Sequence, residues 1–238
     1  MNILMGKKTI GTIGLMGGVP SNHFEFTWSL ANMIQYNNEY ICTPGEIIHL
    51  DHADVSYHAA ARNQLASRFL GDWLLMLDLD HAFQPDLLAR MLLLVNQYKH
   101  FKDIDIGVLS ALYHYRREPF LPVAYMWNDK KTGCQQMTDW ESDSLLIEVD
   151  SAGAGCLLVK REIFHRIYED LNEEPFSPKN GLSEDHSFFY RLSELGIQPY
   201  LAHKIQAAHL MTVPITTETH YRERFDVLSK AVDLENRH

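Results

Sequence analysis

The stretch WLLMLDLDHAF, residues 73–83, decides the fold class of this chain. Its first five residues are apolar, and two acids, Asp78 and Asp80, follow directly. A short apolar run is typical of a strand that is buried on both faces of a sheet, because neither face then needs polar side chains. Acids placed after such a run need a partner, since a buried charge is costly on its own. The stretch therefore predicts a central strand that ends in a polar site.

Apolar runs alternate with amphipathic helical segments along the rest of the chain. Further strands are predicted at TIGTIGLM, GEIIHLDH, IGVLSALY, FLPVAYMW, SLLIEVD, CLLVK and QPYLAHKIQAAHL. Helices are predicted from Ser21, as N-cap, to about Gln35, over YHAAARNQLASRFLG, from Pro85 to about Tyr98, over REIFHRIYEDL and over SEDHSFFYRLSELG. This alternation predicts an α/β fold, with a mostly parallel twisted sheet covered by helices on both faces. Ligands bind such sheets at the carboxyl ends of the strands, where Asp78 and Asp80 fall.

Length and composition predict one domain over residues 1–238, with residues 213–238 as a C-terminal extension. Hydrophobic residues make up 46% of the 238-residue chain and charged residues 22%, which are ordinary values for a folded protein. The extension could cover the substrate site, pack on a second subunit of a homo-oligomer, or finish the domain.

Charge and cysteine usage exclude several classes of protein. The formal net charge of -10 makes nucleic acid an unlikely partner, because binding through phosphates needs clustered Lys and Arg. The three cysteines have no CxxC spacing, which predicts free thiols in a reducing compartment. No apolar run approaches the roughly 18 residues of a membrane span. Together these features predict a cytoplasmic protein without a membrane span.

Asp78 and Asp80 are predicted to bind a divalent metal ion. Side chains two residues apart on an extended chain point to the same side, so both carboxylates can converge on one ion. Oxygen ligands suit Mn²⁺ or Mg²⁺, and such an ion can bridge the phosphates of a substrate. The alternative is a pair of acids that only begins a loop.

The surroundings of this pair resemble a known family. RNQLASRFLGDWLLMLDLDHAFQPDLLARML, residues 62–92, is similar to the central pattern of GT-A-fold glycosyltransferases, including bacterial and phage family-2-like enzymes. The shared features are an Arg-Asn helix, a Gly-Asp turn, an apolar strand, Asp-x-Asp, and Pro-Asp-Leu at the next helix. GAGCLLVKREIF and SEDHSFFYRLSELG resemble later segments of the same family. The likeness covers most of residues 55–210.

The resemblance implies a hexosyltransferase-type enzyme with a GT-A-like, Rossmann-related fold. Such an enzyme moves a sugar from a nucleotide-sugar, here a UDP- or GDP-sugar, to a hydroxyl group of an acceptor. It also implies that Asp78 contacts the nucleotide or the metal and that Asp80 ligates the metal. LMGGVPSNHF stands where bacterial members often have Pro-x-Tyr-Asn, so the nucleotide stays open.

Asp185 and Glu184 are the candidate catalytic residues. They follow Ser183, and the alternative is a purely structural role, because acids in the first turn of a helix complement the helix dipole. Asp185 shares a helix face with Phe188 and Phe189, which makes it the better candidate for the base that deprotonates an acceptor hydroxyl if the reaction inverts configuration. Whether the reaction inverts or retains configuration stays open from the sequence. Glu184, nearer the edge of that face, is its neighbour or an acceptor-binding group.

Further site residues follow from the resemblance. Arg62 is expected near the pyrophosphate or base of the donor, with Asn63 beside it, and Gly153 belongs to the loop where donor and acceptor meet. His209 is the candidate third metal ligand, completing the set with Asp78 and Asp80. His203 and His81 are the alternatives to His209.

Two other functions remain open from the sequence. A haloacid-dehalogenase-type phosphatase also carries Asp-x-Asp after an apolar strand, but near its first strand and with a later Gly-Asp-x-x-x-Asp, which this chain lacks. The second is a non-catalytic protein on the same fold that binds a nucleotide-sugar without turnover.

Overall fold

A computed structural model of the protein describes residues 7–16, 23–128, 133–140 and 143–211. Five helices lie within these residues: α1 (Phe24–Tyr40), α2 (His58–Arg68), α3 (Leu87–Lys102), α4 (Arg161–Asp170) and α5 (Glu184–Glu194). The strands among them are β1 (Lys8–Leu15), β2 (Glu46–His52), β3 (Trp73–Leu77), β4 (His81–Phe83), β5 (Val108–Leu112), β6 (Ala124–Trp127), β7 (Cys134–Gln136), β8 (Ile147–Glu148), β9 (Ser151–Ala152), β10 (Cys156–Lys160) and β11 (Tyr200–His209).

The main sheet has eight strands in the order β2-β1-β3-β10-β5-β11-β4, and β8 pairs with β11 beside this path. Strands β1, β2, β3, β5 and β11 run in one direction. Strand β10 lies antiparallel between β3 and β5, and β4 and β8 pair antiparallel with β11. The predicted α/β class, with a mostly parallel sheet, is confirmed.

Strand β3 is the centre of the core, as the apolar run predicted. All five of its residues are buried, and alternate side chains enter two different apolar clusters. Leu74 and Met76 pack with residues of α2, α4 and α5, whereas Trp73, Leu75 and Leu77 pack with residues of α1 and α3. Helices therefore cover both faces of the sheet, and an all-apolar strand is what this position requires.

Three parts of the sheet pattern differ from the prediction. The three residues after Asp80 form β4, which pairs with the end of β11. The segment FLPVAYMW contributes β6 to a separate three-stranded sheet of order β7-β6-β9, and not to the main sheet. Only two residues of SLLIEVD form β8. Strands of two or three residues are too short for a periodic pattern to reveal them.

Helix boundaries differ slightly from the expectations. Helix α1 continues five residues beyond Gln35, and α3 begins at Leu87, two residues after Pro85, and extends past Tyr98 to Lys102. The predicted cap Ser21 and the C-terminal extension 213–238 lie outside the described residues.

The turn before β3 is held against β1 by close backbone contact. Gly71 has φ +83, and a Cβ at this position would lie 2.3 Å from the backbone nitrogen of Gly11 in β1. The amide of Asp72 donates to the carbonyl of Ile10 at 2.9 Å. Arg161 in α4 donates from Nε to the Gly71 carbonyl at 2.6 Å. The turn thus sets where β3, and the acids that follow it, begin.

Replacement of Gly71 by Ala is expected to destabilise the protein more than the same change at Gly45. Both glycines have positive φ, so both variants incur a backbone cost of about 1–2 kcal/mol. Only Gly71 has backbone atoms in the way, since no atom lies within 4 Å of a Cβ at Gly45. In urea denaturation, the free energy of unfolding should fall by at least about 2 kcal/mol more for Gly71→Ala than for Gly45→Ala. Equal losses would contradict the close approach of this turn to β1.

Candidate active site

The candidate site lies where β1, β3 and β11 end. The amide of Met16 donates to the carbonyl of Leu77 at 3.0 Å, and the amide of Asp78 donates to the carbonyl of Gly155 at 2.9 Å. The amide of Leu210 donates to the carbonyl of Asp80 at 2.7 Å. These backbone bonds bring the Asp-x-Asp segment, the small-residue loop formed by residues 153–155, and the end of β11 to one edge of the sheet.

Arg62 holds the first acid of the pair. Its side chain is 2% exposed, with Nη1 donating to the Ala154 carbonyl at 2.8 Å and Nη2 donating to Asp78 Oδ1 at 3.2 Å. Burial favours a lower pKa for Arg62, but the charges of Asp78 and Asp185 outweigh it, so its pKa is raised. Arg62 is thus a fixed cation behind the carboxylate of Asp78, which keeps 28% of its side chain exposed.

The carboxylate of Glu184 contacts two basic side chains. His58 Nδ1 lies 3.6 Å from Glu184 Oε1, and Arg62 Nε lies 4.0 Å from the same oxygen. The contact with His58 is the main reason that the pKa of Glu184 is lowered, against the opposing effect of burial. The same contact raises the pKa of His58. Glu184 therefore links α2 to the start of α5 as a charged group.

Asp185 has fewer partners than its neighbour. The hydroxyl of Ser183 donates to Asp185 Oδ1 at 3.2 Å. Among the described residues, no other hydrogen bond reaches this carboxylate. Phe188, Phe189 and Leu192 are fully buried, as the helix-face argument expected. The negative charge of Asp185 also adds to burial in raising the pKa of Tyr113. Asp185 therefore lies within electrostatic range of Arg62 and Tyr113.

The second acid of the pair belongs to a cluster with two histidines. His81 Nδ1 lies 3.1 Å from Asp80 Oδ1, and His209 Nε2 lies 3.4 Å from Asp80 Oδ2. The two imidazole rings stack with centroids 4.6 Å apart. Pairing of β4 with β11 sets this arrangement, because His81 and His209 are direct partners in the register.

The cluster fits a divalent metal ion. One ligand atom from each of Asp80, His81 and His209 lies within 4.8 Å of the others. Asp80 Oδ1 and both ring nitrogens of His81 are buried without a hydrogen-bond partner among the described residues, since the 3.1 Å contact between them is poorly aligned. Buried polar atoms left unpaired point to a missing ligand. Two imidazoles and a carboxylate suit Mn²⁺ better than Mg²⁺, which prefers oxygen ligands.

His209 presents the nitrogen that a metal would need. Its Nδ1 is 2.9 Å from the carbonyl of His114, and a carbonyl can only accept, so Nδ1 carries the proton. In the neutral ring, Nε2 then has a free lone pair on the side of Asp80. His203, the alternative ligand, packs near Trp140 and is not a member of the cluster found among the described residues.

Arg116 also contacts the second acid. Its Nη1 lies 3.0 Å from Asp80 Oδ2, and its side chain is 47% exposed. Burial favours a higher pKa for Asp80, but the contacts with His209 and His81 outweigh it, so the pKa of this carboxyl is well below its usual value. Asp80 is therefore a fixed anion for which Arg116 and a metal ion would compete.

Two glycines let the small-residue loop approach the site. A Cβ at Gly155 would lie 2.8 Å from Cε1 of His81 and 3.1 Å from Asp78 Oδ2. Gly155 therefore leaves free the space next to His81 and Asp78, which a side chain would fill. A Cβ at Gly153 would lie 1.7 Å from the hydroxyl oxygen of Tyr113. Tyr113 in turn accepts a hydrogen bond from the Gly155 amide at 3.1 Å. Gly153 therefore packs on Tyr113, and its predicted contact with substrate stays a prediction.

The structure separates the predicted residues into two groups. Arg62, Asp78 and Glu184 form one connected set, and Asp80 and His209 belong to the other, which also contains His81. Asp78 is not in the histidine cluster among the described residues, so its role as a metal ligand stays a prediction.

Asn63 faces a different part of the fold. Its Nδ2 donates to Glu174 Oε2 at 3.1 Å and to Ser177 Oγ at 3.2 Å, and its Oδ1 accepts from the Phe176 amide at 2.8 Å. These bonds anchor the segment before α5. Its predicted contact with substrate stays a prediction.

Comparison with known proteins identifies the family. The family model described as Glycosyl transferase family 2 matches residues 31–165, which is more than half of the chain. The chain belongs to glycosyltransferase family 2. This assignment confirms the resemblance noted in the sequence, and it supports glycosyl transfer as the general activity.

A structural comparison agrees with the fold of this family 2 member. The solved structure of A197 from STIV matches with a TM-score of 0.51 and 17% identity, and the match covers 86% of each chain. At that identity the likeness concerns the fold alone. No curated protein sequence matches the chain significantly. In the part of the chain that the structure describes, no helix has the length and apolarity needed to cross a membrane.

Sequence reasoning missed Arg116, Tyr113, His58 and Gly155 in this family 2 site. His81 was weighed only because it adjoins Asp80. The signals were weak: Gly155 lies in the quoted GAGC segment, and Tyr113 ends the predicted strand IGVLSALY. Arg116 lies in a loop, where no periodic pattern indicates its direction.

Asp80→Asn is expected to reduce the affinity for Mn²⁺ by at least about tenfold in isothermal titration calorimetry. Even groups that only hydrogen-bond a metal ligand change affinity by about 10–100-fold, so loss of a ligand should do no less. The same titration of Asp78→Asn tests the predicted ligand role of Asp78. Unchanged affinity in Asp80→Asn would contradict the metal site.

Arg116→Gln should have the opposite effect in the same titration. Removal of the guanidinium frees Asp80 Oδ2, so Mn²⁺ affinity is expected to rise several-fold. Arg117→Gln is the matched control, because it removes the same charge from the same loop while Arg117 lies over the ring of Tyr115. If both variants gain equally, the effect is general electrostatics and not competition for Asp80.

His58→Gln is expected to lower stability in a pH-dependent way. Because the pKa of His58 is raised in the folded state, its pair with Glu184 contributes fully below the unfolded pKa of about 6.5 and is lost as pH rises through the folded pKa. The urea midpoint of the variant should therefore fall below that of wild type at about pH 5.5 and approach it at about pH 8.5. His165→Gln, an exposed histidine in α4, is the control. A pH-independent difference would argue against the ion pair.

Proposed function

We propose that this family 2 enzyme is a metal-dependent, hexosyltransferase-type glycosyltransferase. It would move a sugar from a UDP- or GDP-sugar to a hydroxyl group of an acceptor. The observation that carries the proposal is the cluster of Asp80, His81 and His209 at the end of β3, with buried polar atoms that lack partners. The cluster lies beside the pair formed by buried Arg62 and half-buried Asp78, and Asp185 lies within electrostatic reach of Arg62.

Asp80 and His209 would hold the ion, with His81 beside them and Asp78 as the further predicted ligand. Mn²⁺ is favoured over Mg²⁺ because two of the candidate ligands are imidazoles. When bound, the ion supplies positive charge to the departing nucleoside diphosphate. The low pKa of Asp80 supports this role, because a ligand must be deprotonated.

The donor would bind around Asp78, Arg62 and Gly153. Arg62 is almost fully buried, so it acts by fixing Asp78 and by placing positive charge behind it. The exposed part of Asp78 is then available to the nucleotide. Asn63 would support the donor side through the segment that it anchors, residues 174–177.

Asp185 would be the general base. It takes the proton of the acceptor hydroxyl while that oxygen bonds to the anomeric carbon, and the bond from this carbon to the diphosphate breaks with its electron pair leaving on the diphosphate. Support comes from the contrast with Glu184, which already neutralises His58 and Arg62 and is therefore a poorer base. Glu184 would keep Arg62 and the start of α5 in place.

The other candidate functions have less support. The family assignment favours neither a haloacid-dehalogenase-type phosphatase nor a binding protein without turnover. The free thiols of Cys42, Cys134 and Cys156 support a reducing, cytoplasmic setting. One catalytic domain over residues 1–238 and assembly into a homo-oligomer stay predictions.

A screen of UDP- and GDP-sugars with Mn²⁺ tests the proposed function. We expect at least one donor to raise the melting temperature and to be hydrolysed slowly, and both effects should need the metal. Release of phosphate from simple phosphomonoesters, without cleavage of any nucleotide-sugar, would favour the phosphatase. Binding of a donor with no turnover under any condition would favour the binding protein.

Asp185→Asn is expected to lower kcat by about 10²–10⁴-fold, the usual contribution of a general base. Its dissociation constant for the donor should stay close to that of wild type, since the carboxylate is assigned to the acceptor. Asp170→Asn, which changes an exposed acid on α4, is the matched control. NMR of the product should show inversion at the anomeric carbon, and a retained configuration would remove Asp185 from the role of base.

A further inference from the structure

A large cleft lies beside the cluster of Asp80, His81 and His209. Its volume is about 740 Å³, within the range of small-molecule sites. It lies between the start of α3, the segment after β5 and the end of β11. Arg62 and Asp78 do not line it, so the cleft is separate from the proposed donor side. Asp185 does not line it either, so a ligand in the cleft must extend past His209 to meet the proposed base.

The cleft is positively charged although the chain is acidic. Arg90, Arg116 and Lys204 line it, and no Asp or Glu does so among the described residues. The chain as a whole has a formal net charge of -10. Arg116 is paired with Asp80, so Arg90 and Lys204 supply the uncompensated positive charge of the cleft in the described part of the chain, and this charge attracts anions.

Arg90 and Lys204 lie together and have no carboxylate partner in the described part of the chain. Nη2 of Arg90 donates to the backbone carbonyl of Lys204 at 2.8 Å, which fixes the guanidinium near the base of the lysine side chain. Lys204 itself is exposed. A forked guanidinium beside a mobile ammonium group is a suitable pair of donors for a phosphate or a carboxylate.

The cleft continues to the metal cluster. His209 and Arg116 line the cleft, and both contact Asp80. A ligand whose anionic group lies at Arg90 and Lys204 would therefore extend towards the cluster where transfer is proposed. Exposed apolar residues of the same cleft, Phe120 and Met211, offer a surface for its carbon atoms.

We propose that this cleft binds the acceptor, and that the acceptor carries a phosphate or carboxylate group held by Arg90 and Lys204. The role as acceptor rests on the proposed glycosyl transfer, whereas the binding of an anion does not. The hydroxyl group that receives the sugar lies on the part of the acceptor that extends past His209 towards Asp185.

Calorimetric titration of the metal-free, donor-free protein with glycerol, glycerate and glycerol 3-phosphate tests the proposal. We expect the two anions to bind at least about tenfold more tightly than glycerol. Preference for glycerol 3-phosphate assigns a phosphate group to the acceptor, and preference for glycerate assigns a carboxylate. Equal binding of all three compounds, or of none, would overturn the proposal.

Variants locate the anion. Arg90→Gln with Lys204→Gln should weaken anion binding at least about tenfold, and Lys204→Glu alone should do so without touching a buried group. Lys102→Gln with Arg166→Gln is the charge-matched control on exposed positions, and it should bind within about twofold of wild type. Wild-type binding in the cleft variants would overturn the assignment.

The two proposals fail in different ways. A protein that turns over a nucleotide-sugar but binds no anion in this cleft would overturn the present inference alone. A protein that binds the anion but fails the donor screen would overturn the proposed function, and with it the acceptor role.

Discussion

The burial of one cation, Arg62, constrains the rest of the site. A guanidinium that is 2% exposed must be compensated within the protein, because an unpaired buried charge is strongly unfavourable. Its partners come from three separate segments: the Ala154 carbonyl, the carboxylate of Asp78 and, at 4.0 Å, that of Glu184. Loop 153–155, the end of β3 and the start of α5 can therefore meet only where this one side chain reaches all of them.

As a consequence, the two acids of the Asp-x-Asp segment contact different partners. The sequence argument placed both on one ion, since residues two apart on a strand point to the same side. The strand, however, ends at Leu77, so alternation no longer governs the residues beyond it. Asp78 turns towards Arg62, and Asp80 turns towards the histidines and Arg116. The family resemblance is confirmed by the family model, whereas the direction of each side chain depended on partners distant in the chain.

The fold was predictable where a local pattern sufficed. The apolar run of β3, the helices α2, α4 and α5, and the position of the site at the carboxyl end of β3 all follow from periodicity. Strand β4 could not be predicted, because its three residues form a strand only through pairing with β11. The same pairing makes His81 the direct partner of His209, so the candidate metal-binding cluster depends on a register between segments more than a hundred residues apart in the chain. Family resemblance supplied His209, but no pattern in the sequence could supply that register.

Charge compensation at Asp80 links the metal cluster to the neighbouring cleft. Without an ion, the carboxylate is balanced by Arg116, and the two histidines lie in contact with it. An ion on Asp80 would take over that balance, and the 47% exposed guanidinium of Arg116 would no longer be needed there. Arg116 also lines the cleft that holds Arg90 and Lys204, so its release would add positive charge to that cleft. Binding of a cation at the cluster and of an anion in the cleft would then favour each other, because linkage between two sites is reciprocal.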